Sequence, residues 1–86
     1  MTLMFTDDGW RTYQQWVGDV RTLKHIHKLI ADISRNGHDG IGKPEPLSGE
    51  WSGWWGRRID AKNRLVYRIA DEGVEIAQCG GHYSSH

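Results

Sequence analysis

The stretch Arg64-Leu65-Val66-Tyr67-Arg68-Ile69-Ala70, followed by Asp71-Glu72-Gly73 and then Val74-Glu75-Ile76-Ala77-Gln78-Cys79, decides the fold. Two runs rich in β-branched and aromatic residues are joined by an acidic triplet ending in glycine, which is a hairpin signal. Strand alternation puts Leu65, Tyr67 and Ile69 on one face, suited to packing under helices. It leaves Arg64, Val66 and Arg68 on the other face as a polar working surface. Upstream, residues 54–59 read as a further strand and Asp60-Ala61-Lys62-Asn63 as the turn between them. The C-terminal half is thus predicted to be an antiparallel meander.

Before residue 37 the apolar period is helical instead. Residues 2–6 form a short first strand, apolar at Leu3 and Phe5. Asp7 or Asp8 is the expected N-cap of a helix carrying Trp10, Tyr13, Trp16 and Val17 on one stripe, and Gly18 ends it. Asp19 caps a second helix, in which Val20, Leu23, Ile26, Leu29, Ile30 and Ile33 keep helical spacing until Asn36-Gly37. Its other face carries Arg21, Lys24, His25 and Lys28, a row that fits either solvent or a polyanion. His25 and His27 point to different sides of that helix and suit structural or solvent-facing roles. Two helices with so short a break predict an antiparallel hairpin. The expected architecture is α+β, a helical hairpin packed on a twisted antiparallel sheet, in one domain spanning residues 1–86 with no internal repeat.

A chain of 86 residues buries about 60–65% of its unfolded surface and has material for one core. Its lone cysteine, Cys79, excludes an internal disulfide framework and suits a reducing cytoplasm. The apolar patch Leu3-Met4-Phe5 is too short for a signal peptide, and no later run approaches a membrane span. A soluble cytoplasmic protein without a membrane partner is expected. Formal charge is zero, with 11 Lys+Arg against 11 Asp+Glu, so nothing draws the whole molecule to nucleic acid. Locally the balance differs: Arg57, Arg58, Lys62, Arg64 and Arg68 face only Asp60 in that segment, a patch able to attract phosphate. Trp51, Trp54 and Trp55, three of five tryptophans, precede it and serve either to fill a small core or to stack on bases.

Between the helices and the meander lies a Gly/Pro-rich loop containing Gly42-Lys43-Pro44-Glu45-Pro46-Leu47. Pro44 fixes its own φ and Pro46 pushes Glu45 into an extended backbone. The frame either aims one carboxylate or merely stiffens a loop end. Glu45, Arg64, His82 and Tyr83 together make the set a metal-free ribonuclease needs. The carboxylate takes a proton from a ribose 2′-hydroxyl, the arginine stabilises charge on the phosphate, and the imidazole protonates the leaving 5′-oxygen. Tyr83 stacks on a base or orients the phosphate. Plainer roles exist: Arg64 pairing with Glu75 across the hairpin, or an incidental C-terminal histidine. Cys79, His82 and His86 resemble part of a metal site but lack a fourth ligand. No metal or cofactor is expected.

The order of helical hairpin, Gly42-Lys43-Pro44-Glu45-Pro46-Leu47, Ser52-Gly53-Trp54-Trp55-Gly56-Arg57-Arg58-Ile59, Asn63-Arg64-Leu65-Val66-Tyr67 and the closing His82-Tyr83 resembles the YoeB/Txe branch of the RelE toxin superfamily, over essentially the whole chain. The resemblance implies a toxin of a type II toxin-antitoxin pair, a metal-independent endoribonuclease that cuts mRNA in the A site of the 70S ribosome and leaves a 2′,3′-cyclic phosphate. It further implies a homodimer and neutralisation by a YefM-like antitoxin. Carried over by position, Glu45 is the general base, Arg64 the phosphate-binding arginine, His82 the general acid and Tyr83 the terminal aromatic. Lys43 and Arg58 align with RNA-contacting positions. The chain departs from the family pattern at Ser48, where a lysine is common, and at Gly80-Gly81, where an Arg-Tyr pair is common. These glycines are expected to free the backbone that carries His82. The competing class is a catalytically weakened module of the same fold that binds ribosome or antitoxin.

Overall fold

Residues 2–81 are described by the computed structural model of the chain, in which strand β1 (Thr2–Phe5) leads into helices α1 (Asp7–Gln14) and α2 (Val20–Asn36). A two-residue strand β2 (Glu45–Pro46), a 3-10 turn (Gly49–Trp51), β3 (Trp55–Arg58), β4 (Arg64–Ala70) and β5 (Gly73–Cys79) follow. The strands make one sheet in the order β1-β5-β4-β3-β2. Strands β2 to β5 are antiparallel neighbours, as the turn residues predict. β1 instead runs parallel to β5, with Thr2 opposite Gly73 and Phe5 opposite Ile76. The sheet is therefore mixed, which corrects the all-antiparallel expectation. No hairpin turn fixes the direction of β1, because helices and three strands separate it from its partner.

Thr6, not Asp7 or Asp8, caps α1: its hydroxyl accepts from the Gly9 amide at 3.0 Å, while both aspartates sit in the first turn beside the positive end of the helix dipole. The helix ends at Gln14, ahead of Gly18. It rests chiefly on β5, where the Cys79 amide donates to the Thr12 hydroxyl at 2.9 Å and the Trp16 indole donates to the Cys79 carbonyl at 2.8 Å. Of the expected apolar stripe, Tyr13 and Trp16 pack on the core, whereas Trp10 and Val17 are exposed. The hairpin of helices is closed by the Tyr13 hydroxyl meeting His27 Nε2 at 2.7 Å.

Asp19 caps α2 through the Thr22 amide at 3.1 Å, and Gly37 at φ 67° ends it, both as the sequence predicts. Ile26, Leu29, Ile30 and Ile33 press on Leu65, Tyr67, Val74, Ile76 and Cys79. Full burial of each such aliphatic side chain contributes about 1.5–3 kcal/mol. The other face of the sheet has a smaller cluster of Leu47, Val66 and Ala77, flanked by Trp51 and Trp54. Val66 is wholly buried there, not part of an exposed surface, because the segment after β2 folds back over it. A bulge lets Val66 face Gln78 while Tyr67 faces Ile76, so Ala77 is the extra residue. No described helix is long and apolar enough to cross a membrane.

Candidate active site on the open face of the sheet

Strand register assembles the site. Glu45 lies opposite Gly56, Gly56 opposite Val66, and Val66 opposite Gln78, which makes one row across four strands. Directly opposed residues share a face, so Glu45 stands on the side of the sheet away from α2. Two residues further along, beyond the Arg57–Leu65 row, Arg58 lies opposite Arg64 on that same side. With strands about 4.8 Å apart, the Glu45 and Val66 backbones are about 10 Å apart. Gly56 contributes no side chain between them, and Leu47 lines the floor beside it.

Glu45 is exposed and firmly carried. The Leu47 amide donates to the Trp54 carbonyl at 2.9 Å, and the Arg58 amide donates to the Gly42 carbonyl at 2.7 Å. Between these anchors Lys43 adopts φ 51°, the one non-glycine left-handed residue among those described. That conformation costs about 1–2 kcal/mol and persists only where the surroundings impose it. Lys43 is exposed next to Glu45.

Arg64 is half-buried, and its Nη1 donates to the carbonyls of Asp60 at 3.2 Å and Asn63 at 3.4 Å. Its charge has no carboxylate partner among the described residues. The Asp60 carboxylate is occupied by the Asn63 side chain and the Lys62 and Asn63 amides, which hold its pKa below the usual carboxylate value. Arg58 is exposed and likewise without an acid partner among the described residues. Arg68, not Arg64, takes Glu75, at 2.7 Å, and lies over the Trp54 ring at 4.5 Å. Arg57 turns to the opposite side and is completely buried. The basic patch seen in the sequence is thus divided, with Arg58 and Arg64 on the face of Glu45 and Arg57 on the other.

His82 and Tyr83 lie outside the described residues. The chain approaching them is well held. The Gly80 amide donates to the Arg64 carbonyl at 2.7 Å, the Gly81 amide to Asn63 Oδ1 at 2.9 Å, and the Gln78 side chain to the Gly80 carbonyl at 2.6 Å. Gly80 and Gly81 adopt φ 111° and 78°, and a side chain on Gly80 would crowd Trp16. These bonds tie residues 80–81 to Arg64 and Asn63, while the backbone that carries His82 lies outside the described residues. Burial pushes the Cys79 thiol up to about 12, and His86, like His82, lies outside the described residues. Among the described residues no three His, Cys, Asp or Glu side chains are grouped to hold a metal ion.

Sequence reasoning missed the separate role of Arg57. The signal was available: consecutive strand residues face opposite sides, so one of Arg57 and Arg58 had to share the core face with Trp55.

Comparison with known proteins agrees with this architecture. The family model of the YoeB-like toxin of bacterial type II toxin-antitoxin systems matches residues 5–83. A toxin YoeB of Streptomyces coelicolor is 48% identical, over 96% of this chain and 100% of its own. A YoeB/ParE toxin structure from Agrobacterium tumefaciens superposes with a TM-score of 0.90 at 42% identity, covering 96% of this chain and 100% of the other. Two Staphylococcus aureus structures, a YoeB-YefM complex and a YoeB dimer, each give 0.88 at 35% and 36% identity, covering 96% of this chain and 98% of theirs. Two helices on a mixed five-stranded sheet, in the arrangement of the YoeB/ParE toxin structure, define a toxin of the RelE-like fold. The chain belongs to the YoeB family of type II toxin-antitoxin toxins.

Proposed function

We propose that the chain acts as one domain, a ribosome-dependent endoribonuclease that cuts mRNA in the A site. The reading rests on one observation, the strand register that sets Glu45 and, two residues further along, the Arg58-Arg64 pair on one open face. Glu45 removes the 2′-hydroxyl proton, and the 2′-oxygen attacks phosphorus. The P–O5′ bond breaks, giving a 2′,3′-cyclic phosphate and a 5′-hydroxyl, with His82 supplying the proton to the leaving oxygen. Arg64, aided by Arg58, donates to the non-bridging oxygens as their charge grows. Lys43 and Tyr83 hold the neighbouring nucleotide. Each proton-transfer group is worth about 10²–10⁴-fold in rate, and no metal is needed for these steps.

Zero net charge supports ribosome dependence. A free ribonuclease must gather RNA electrostatically, whereas the ribosome can hold and align the message for a neutral toxin. Slow cleavage of naked RNA and action in the cytoplasm follow. The YoeB-YefM complex and YoeB dimer at 35% and 36% identity support a YefM-like antitoxin and a homodimer for this chain.

Primer extension on mRNA programmed into 70S ribosomes tests the reading with the native chain, Glu45→Ala and His82→Ala. An A-site-phased stop that both substitutions abolish is expected. Ribosome binding without any stop from the native chain would overturn the enzyme reading in favour of a binding module.

A further inference from the structure

We propose that Arg57 is a positioning residue for the Glu45 carboxylate: its buried guanidinium folds residues 37–41 into a collar that fixes where the strand carrying Glu45 crosses the sheet. The inference rests on Glu45 being the general base. A guanidinium offers five N–H donors, and here they meet five acceptors. Nη1 donates to the Asp32 carboxylate and to the Ile41 carbonyl at 3.0 Å, Nη2 to the carbonyls of Gly37 at 2.6 Å and Asp39 at 3.3 Å, and Nε to the Tyr67 hydroxyl at 3.3 Å. Three carbonyls at alternate residues thus turn inward on one cation. A lysine ammonium, with three donors on a flexible stem, cannot satisfy this planar set.

The collar is braced from α2 as well. Asp32 accepts from the Asn36 side chain at 2.7 Å and the Ile41 amide at 3.2 Å. Gly42 follows at φ 82°, and a Cβ there would meet Leu29 and the Arg57 side chain. Its carbonyl accepts from the Arg58 amide, one residue beyond the guanidinium on β3. Pro44 has a fixed φ and Glu45 is paired with Gly56. From Ile41 to Glu45 every residue but Lys43 is therefore bonded, packed or ring-locked, and the left-handed Lys43 absorbs the remaining turn. A carboxylate on an exposed two-residue strand has no packing of its own to hold it within hydrogen-bond reach of a 2′-hydroxyl. Misplacement by 1 Å can cost about 10²-fold in rate.

Arg57→Lys tests the assignment, with Glu45→Ala alongside, at a temperature where circular dichroism shows the variants folded. Two quantities are read: single-turnover cleavage of A-site mRNA against ribosome concentration, and hydrogen exchange of the Arg58 amide. The saturating rate should fall about 100-fold, the half-saturating concentration should move by less than about 3-fold, and the Arg58 amide should exchange at least about 10-fold faster. A folded Arg57→Lys that cleaves at the native rate overturns the proposal, as does a loss of rate that only tracks the unfolded fraction. If Arg57→Lys does not fold, Asp32→Asn, which keeps an acceptor but removes the charge, should slow cleavage about 10-fold and speed the same exchange. A native rate in that variant overturns the proposal equally. If Glu45→Ala cleaves normally, the active-site reading fails first, and the Arg58 amide alone then reports whether Arg57 holds the collar.

Discussion

Arg57 and Arg58 are neighbours on β3, yet they belong to two different environments. On the side of α2 the guanidinium of Arg57 is completely buried, every donor is used, and a loop is wrapped around it. On the open side Arg58 is exposed, across from Arg64, with no acid partner among the described residues. One arginine satisfies its charge within the fold, and the other leaves its charge exposed beside Arg64. Among surface arginines near a candidate site, charge counting alone cannot separate these cases, whereas strand parity can. The same division runs through the whole sheet, with a large aliphatic core beneath α2 and a small tryptophan-flanked cluster beside the site.

The largest expected effect comes from removing Arg57. Arg57→Ala empties a fully buried position and leaves three inward carbonyls without their donor, at about 1–3 kcal/mol each, and should be the most damaging of these variants in chemical denaturation. Arg58→Ala should stay within about 0.5 kcal/mol. Equal losses in the two variants would erase the distinction between the faces. A second pair compares the two apolar clusters at fixed chemistry. Leu65 is fully buried under α2, and Leu65→Ala should cost about 3–4 kcal/mol; Leu47, 9% exposed in the smaller cluster, should cost about 2 kcal/mol. If Leu47→Ala proved the more damaging, the open face would be a second core and not a lightly roofed site.

Where local chemistry sets the structure, the sequence is transparent. Asp19 and Gly37 bound α2, Asp60 turns the chain into β4, and Gly73 at φ 154° closes the hairpin, each through a side chain or a glycine conformation acting within a few residues. The helical face of Ile26, Leu29, Ile30 and Ile33 follows from period alone. What stayed hidden depends on distant partners: the direction of β1, set by pairing with β5, and the burial of Val66, set by Leu47 and two tryptophans from another segment. Arg57 was masked differently, because a run of cations reads as surface until its parity is counted. The candidate site was legible as residue types at Glu45 and Arg64, for which one open sheet face was expected, and through the family resemblance; the strand register through Gly56 that gives the two a common face was not.

The smallest expected effect is a pH dependence confined to the α2 side. His38 stacks on Trp55 with ring centres 3.9 Å apart, close to the Tyr67 hydroxyl. Burial, and then the charge of Arg57, hold its imidazole below the ordinary 6.5, with Asp39 pulling weakly the other way. The folded chain therefore binds fewer protons at this site than the unfolded chain. Its contribution to stability is complete above about 6.5, the unfolded value, and is lost as pH falls through 6.5 toward the folded value. The carboxylates cannot mimic this. Asp32 and Asp60 are held below 3.8 by their hydrogen bonds, chiefly from Arg57 and Asn63, so their contributions fade only in acid, at lower pH. Denaturant midpoints measured from pH 7.5 to 5.5 should fall by less than the Leu47→Ala effect. His38→Phe keeps a ring against Trp55 and should flatten that fall. An unchanged slope in His38→Phe would assign the titration elsewhere and leave the collar around Arg57 insensitive to protons near neutrality.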